Sequence, residues 1–225
     1  MDLISMILII GATLITGGAQ AYISMNYKKY KQISVRSGKS GFDVAREILD
    51  RNGLSKVLIL ETEGELTDHY DPSKKCVKLS HDIYHGKTIA SVSVASHECG
   101  HAIQDKNGYK FLRFRNSIVP LVNFSSKIGY FAIMIGIFAG LVKLVWIGIA
   151  AEIIILLFQL VTLPVEFNAS HRALKLIKEY GIVSEDEHNG AKKMLTSAAL
   201  TYVAGVLSAI TQILRLLLIT GRDDR

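Results

Sequence analysis

Apolar residues in this chain gather in long blocks. The first covers residues 3–23, with no charge between Asp2 and Lys28, about the 20 residues that cross a hydrocarbon layer. Two more, 121–142 and 144–164, are separated only by Lys143 and predict a transmembrane hairpin with a very short turn. The last, 195–219, is interspersed with Ser, Thr and Gly, which predicts a fourth transmembrane helix packed through small residues. Arg215 near its end, and Lys127 in the hairpin, can reach back to the interface, whereas Glu152 should face protein or water rather than lipid.

After the first block the pattern breaks into short elements. Phe42, Val44, Ala45, Ile48 and Leu49 recur at helical spacing and Asn52-Gly53 ends the run, so a short amphipathic helix is expected. Residues 56–60 suit a buried strand, 67–72 (TDHYDP) have turn chemistry, and 75–80 (KCVKLS) alternate as a half-buried or edge strand. As an exposed edge, the last of these could hold an extended peptide by backbone hydrogen bonds; as a core strand it could not. The expected division is an anchor over 1–25, a hydrophilic α+β domain over 26–117, a hairpin over 118–164, a helical segment over 165–194 and a C-terminal membrane helix over 195–221.

Composition agrees with the blocks. The 225 residues are 49% hydrophobic with mean hydropathy +0.29, which predicts a mainly α multi-pass membrane protein with the lipid bilayer as its first partner. The net charge is +6, and Lys28, Lys29, Lys31, Arg36 and Lys39 follow the first block directly. Such a cluster marks the cytoplasmic side, which puts the N-terminus outside and the hydrophilic domain in the cytoplasm. Ala19-Gln20-Ala21 resembles a signal-peptide cleavage site, but the start has Asp2 and no basic region, so an uncleaved anchor is expected. Cys76 and Cys99 lie in unrelated contexts and suggest no disulfide. Repeats, phosphate-binding glycine loops and nucleic-acid motifs are absent from the sequence.

The chemistry concentrates in 91–106, which contains His97-Glu98-Cys99-Gly100-His101, an H-E-x-x-H. On a helix the two histidines share one face and can bind a single zinc ion, with Glu98 beside them as the base that activates a water at the metal. An amphipathic helix that merely carries two histidines is the alternative. Gly100 weakens the helix by about 1 kcal/mol but allows another backbone to come close. His69, His81 and His85 are expected to be surface or hydrogen-bonding residues. Beyond the hairpin, Glu166 on a helix expected to start after Pro164 can close a His-His-Glu set that leaves zinc a position for water, and Ser170 lies one turn further on the same face.

VASHECGHAIQ followed by LPVEFNASHRAL resembles the neutral zinc metallopeptidases of the YugP type, and the resemblance covers nearly the whole chain, including TDHYDP, Leu79-Ser80 and Leu200-Thr201-Tyr202-Val203. More distantly, EFNAS is similar to the EFEAD segment of HtpX and the CAAX prenyl proteases. The resemblance implies His97, His101 and Glu166 as ligands of one zinc per chain, Glu98 as catalytic base, and a small zincin-like α+β catalytic domain of gluzincin type. Where the distant relatives carry Asp four residues after the Glu, this chain has Ser170, so support of a ligand histidine becomes a hydroxyl contact.

The expected function is zinc-dependent endopeptidase action on a protein or peptide substrate, membrane-associated ones included. Candidates for the oxyanion donor are His171, Arg172, Tyr70 and Tyr202. A non-catalytic zinc-binding membrane chaperone or adaptor is the alternative; a base at Glu98 argues against it, since structural zinc usually has four protein ligands and needs none.

Overall fold

The protein is described here by a computed structural model covering residues 3–223, with backbone only at 222 and 223. Asp2, used above in favour of an uncleaved anchor, lies outside the described residues, as do Asp224 and Arg225. In chain order the elements are α1 (Leu3–Tyr30), α2 (Gly41–Arg51), β1 (Leu58–Thr62), β2 (His69–Asp71), β3 (Cys76–Ser80), α3 (His81–His85), α4 (Ile89–Lys106), α5 (Lys110–Phe138), α6 (Val142–Glu179) and α7 (Glu185–Asp223). The fold is mostly helical, and α1, α5, α6 and α7 are each long and apolar enough to cross a membrane.

The chain divides into two compact units. One gathers the described residues up to Gln20, Arg113–Leu163 and those from Leu200 onward; the other joins Ala21–Leu112 to Pro164–Ala199.

Within the first unit, α5 and α6 approach closely through small residues. A Cβ at Gly129 would lie 2.5 Å from the Cβ of Ala151, so only a glycine lets the two helices meet there. The turn of the hairpin falls at residues 139–141 rather than at Lys143, because Gly140 (φ +66°) takes the left-handed conformation that closes α5. Lys143 belongs to the first turn of α6. Glu152 is half-buried and lines a cavity of about 290 Å³ together with Gln159, Gln212 and Arg215. Arg215 lines that cavity, where its Nη1 donates to Gln212 Oε1 at 3.3 Å.

The second unit is built around α4. Thr88 caps its start by accepting from the Ser91 amide, and Gly108 (φ +64°) lets the chain leave after Asn107. The helix is buried on nearly every side, so the amphipathic reading is replaced by a central core helix. Against it packs α2, started by a capping box between Ser40 and Asp43 and burying Val44, Ala45, Ile48 and Leu49 completely. Each of those larger side chains contributes about 1.5–3 kcal/mol of burial.

The sheet corrects three expectations, the first being the buried strand at 56–60, since β1 is an edge strand with Leu58 and Leu60 exposed. Its order is β1-β3-β2, with β1 parallel and β2 antiparallel to β3. The 75–80 stretch is therefore the central strand, buried through Cys76, Val77, Leu79 and Ser80, and the free edges belong to β1 and β2. TDHYDP is only partly turn: it contains β2, and the turn follows, where Asp71 Oδ1 accepts from the amides of Ser73 (2.9 Å) and Lys74 (3.1 Å).

Pro164 does not begin a helix. Instead α6 runs unbroken from Val142 to Glu179 with the proline inside it. The hydrogen bond a proline removes is offset by packing beyond it, where Val165, Ala169, Ala173 and Ile177, spaced by four, are fully buried.

Candidate metal centre

Two helices of the second unit deliver the site. On α4, His97 and His101 stand one turn apart with ring centroids 4.7 Å from each other. From α6, Glu166 enters with 3% of its surface exposed. A Cβ at Gly100 would sit 2.7 Å from the Ala169 carbonyl oxygen and 3.2 Å from the Ala169 Cα, so α6 lies directly on the backbone of α4 at the turn that carries the histidines. The close approach expected at Gly100 is thus made by the helix that carries Glu166.

The three candidate ligand atoms form a triangle. His97 Nε2 is 3.2 Å from His101 Nε2 and 3.2 Å from Glu166 Oε2, and His101 Nε2 is 3.6 Å from the same oxygen. An ion bound tetrahedrally at about 2.0–2.1 Å spaces its ligand atoms about 3.3 Å apart, so these residues fit zinc, with one position left over.

Each imidazole is aimed by a partner on its far side. Ser170 Oγ lies 3.1 Å from His97 Nδ1, the hydroxyl contact expected from its place one turn after Glu166. Gln104 Oε1 lies 3.0 Å from His101 Nδ1. With each Nδ1 carrying its hydrogen to these oxygens, both Nε2 atoms turn their lone pairs into the triangle.

Gln104 was not singled out by sequence reasoning, although it sits one turn after His101, the spacing at which helical side chains meet. Fully buried, it also donates from Nε2 to the Val165 carbonyl (2.8 Å) and to Asn168 Oδ1 (3.0 Å), so one amide orients His101 and ties α4 to the Glu166 segment. Replacing Gln104 by Leu keeps the volume and removes both functions. We expect zinc affinity to fall by about 10–100-fold, measured by chelator competition, and unchanged affinity would show that the amide has no part in positioning His101.

Burial disfavours a charged His101, but the Glu166 carboxylate and the charge of Glu98 outweigh it and hold its pKa above the ordinary value. Glu98 lies beside the pair with 7% of its surface exposed. Its charge also reaches Asp68, whose pKa is raised, first by burial and against the hydrogen bonds from Ser80. Cys99 faces away, toward the Ala45 carbonyl at 3.6 Å, and burial pushes its thiol pKa up, so it does not compete as a ligand. Both cysteines are free.

The oxyanion candidates separate. Tyr70 gives its hydroxyl to Asp105 Oδ2 at 2.7 Å, and His171 is exposed. Arg172 donates from Nε to Asn168 Oδ1 (2.7 Å), the atom that Gln104 also reaches, which connects it to the ligand network. Tyr202 belongs to the other unit.

The sequence model of a family described as "Putative neutral zinc metallopeptidase" matches residues 5–221. The chain belongs to that family. It is 43% identical over 208 residues to a protein of Bacillus subtilis (strain 168) named "Putative membrane protease YugP", covering 92% of each chain. No solved structure matches. The match extends over both units, so the relationship includes the apolar helices together with the His-His-Glu cluster.

Proposed function

We propose that this protein is a membrane-embedded zinc endopeptidase whose metal is held by His97, His101 and Glu166 in a zincin-like α+β domain. The observation that carries the reading is the ligand triangle with a buried Glu98 beside it, a base that a purely structural site would not need. Zinc bound there supplies Lewis acidity, polarising the scissile carbonyl and making water acidic enough to attack near neutral pH.

The chain's own groups do the rest. Glu98 takes the proton of the attacking water and returns it to the leaving amine. Gln104 and Ser170 hold the imidazoles in one tautomer. Arg172, joined to the network through Asn168, is the best candidate to steady developing negative charge. Because both sides of β3 are taken, an extended substrate would add to the free edge of β2, the strand tied to α4 by Tyr70 and Asp105. Backbone pairing of that kind asks little of substrate side chains, which suits a protease of broad preference.

The test is hydrolysis of a peptide library by the purified full-length protein. Cleavage should cease with a zinc chelator and return with added zinc; cleavage indifferent to chelation would refute the assignment.

In the bilayer, residues 1–25, 118–164 and 195–221 would cross the membrane, and 26–117 and 165–194 would lie in the cytoplasm, following the Lys28 to Lys39 cluster. A reporter active only outside the cytoplasm, inserted in the exposed loop at Gly64, should stay silent. Strong activity there would invert the topology and move proteolysis to the outer face.

A further inference from the structure

His81 and His85, expected to be surface or hydrogen-bonding residues, are four residues apart on α3, the same spacing as the pair on α4. Their ring centroids are 4.8 Å apart, against 4.7 Å for His97 and His101. Glu61 of β1 stands between them, its Oε1 2.5 Å from His81 Nδ1 and its Oε2 3.1 Å from His85 Nε2. The donor set is again two imidazoles and one carboxylate.

The fold prepares this cluster independently of any ion. Parallel pairing sets Glu61 beside Leu79 and Thr62 beside Ser80, so β1 ends next to the first turn of α3. Ser80, which opens α3, is fixed by Asp68, whose carboxylate accepts from its amide at 2.7 Å and from its hydroxyl at 3.1 Å. Tyr84 packs its ring against His85 at 4.8 Å and against Phe42 of α2 at 5.0 Å, which limits the orientations of that imidazole. Asp82, the acid on α3, is engaged by Lys31 and leaves the cluster to its three members.

We propose that Glu61, His81 and His85 form a second binding site, for a divalent transition-metal ion, on the surface of the hydrophilic unit. Two imidazoles select zinc, copper, nickel or cobalt over calcium or magnesium, which prefer oxygen ligands throughout. The ion would take the place of the hydrogens now shared between the imidazoles and the carboxylate, and would cross-link the edge strand β1 to α3. The site differs from the first in what surrounds it. All three side chains are open to water, so remaining coordination positions would be filled by solvent, and the ion would bind more weakly and exchange more readily. It is a binding and cross-linking site, separate from the catalytic proposal and independent of it.

The test is calorimetric titration of the metal-stripped, full-length protein in nanodiscs with Zn²⁺ alone. Wild type should show two classes of site, one tight and one weaker. His81→Ala/His85→Ala should lose the weaker class and keep the tight one, while His97→Ala/His101→Ala should do the reverse. Because α3 carries these histidines on its exposed side, the first double variant should keep the helical circular dichroism of wild type. A wild type that shows the tight class alone at saturating zinc, or two classes persisting in His81→Ala/His85→Ala, overturns the second site. Loss of only the tight class in every preparation would instead refute the catalytic site and leave this one standing.

Discussion

Glu98→Gln should keep its zinc and lose peptide hydrolysis. The substitution is nearly isosteric, so the buried position beside the histidines remains filled, and neither ligand histidine nor Glu166 loses a hydrogen-bond partner. What disappears is the ability to accept a proton from water and hand it to the leaving amine. General acid–base catalysis contributes about 10²–10⁴ in rate, so kcat/KM on any peptide the wild type cleaves should fall by at least that factor, about 3–5 kcal/mol of transition-state stabilisation. Zinc content and thermal unfolding measured on the same sample separate this from misfolding. Turnover at the wild-type rate would remove Glu98 from the mechanism.

The second large effect is on the metal itself. His97→Ala takes away one corner of a triangle whose sides are 3.2, 3.2 and 3.6 Å and leaves Glu166 with only the longer contact to His101. Two ligands from two helices cannot hold zinc against dialysis with a mild chelator, so tightly bound metal should fall from about one per chain to background, and activity with it. Mass-spectrometric metal analysis after dialysis reads the result directly. Dialysis also strips any weaker surface site, so full tight occupancy in His97→Ala would mean that zinc sits elsewhere. Glu166→Gln probes the same centre from α6 and should weaken binding without disturbing α4.

Much of this architecture was legible in the residues, and the exceptions have physical causes. The four apolar blocks stand out because they are long, and the H-E-x-x-H because its spacing is fixed by the chemistry it serves. Glu166 lies far along the chain, and its place after the returning hairpin and its EFNAS context pointed to it; no spacing rule could say that α6 would touch α4 at Gly100. The alternation of Cys76 to Ser80 is common to edge strands and central strands, since pleating alone decides which side chains face inward. Pro164 misled because a proline interrupts helices in water, whereas in a long apolar helix buried on one face beyond it the lost hydrogen bond is tolerated. The pairing of His81 with His85 was visible as spacing, but TDHYDP and KCVKLS read as loop and strand, and nothing in them announced a helix at 81. Gln104 was hidden by its ordinary chemistry, since a glutamine after a metal motif becomes informative only when its two ends are seen to reach a histidine and a neighbouring helix.

At Gly100 and Ala169 the two helices meet main chain to main chain. Contacts between side chains can adjust by changing rotamer, but a distance set by peptide groups has no such freedom. The spacing of α4 and α6 is therefore fixed by main chain at the turn that carries His97 and His101, and only the side chains of the cluster are left to adjust. A missing methyl group at one residue of α4 thereby sets how near Glu166 comes to the two imidazoles.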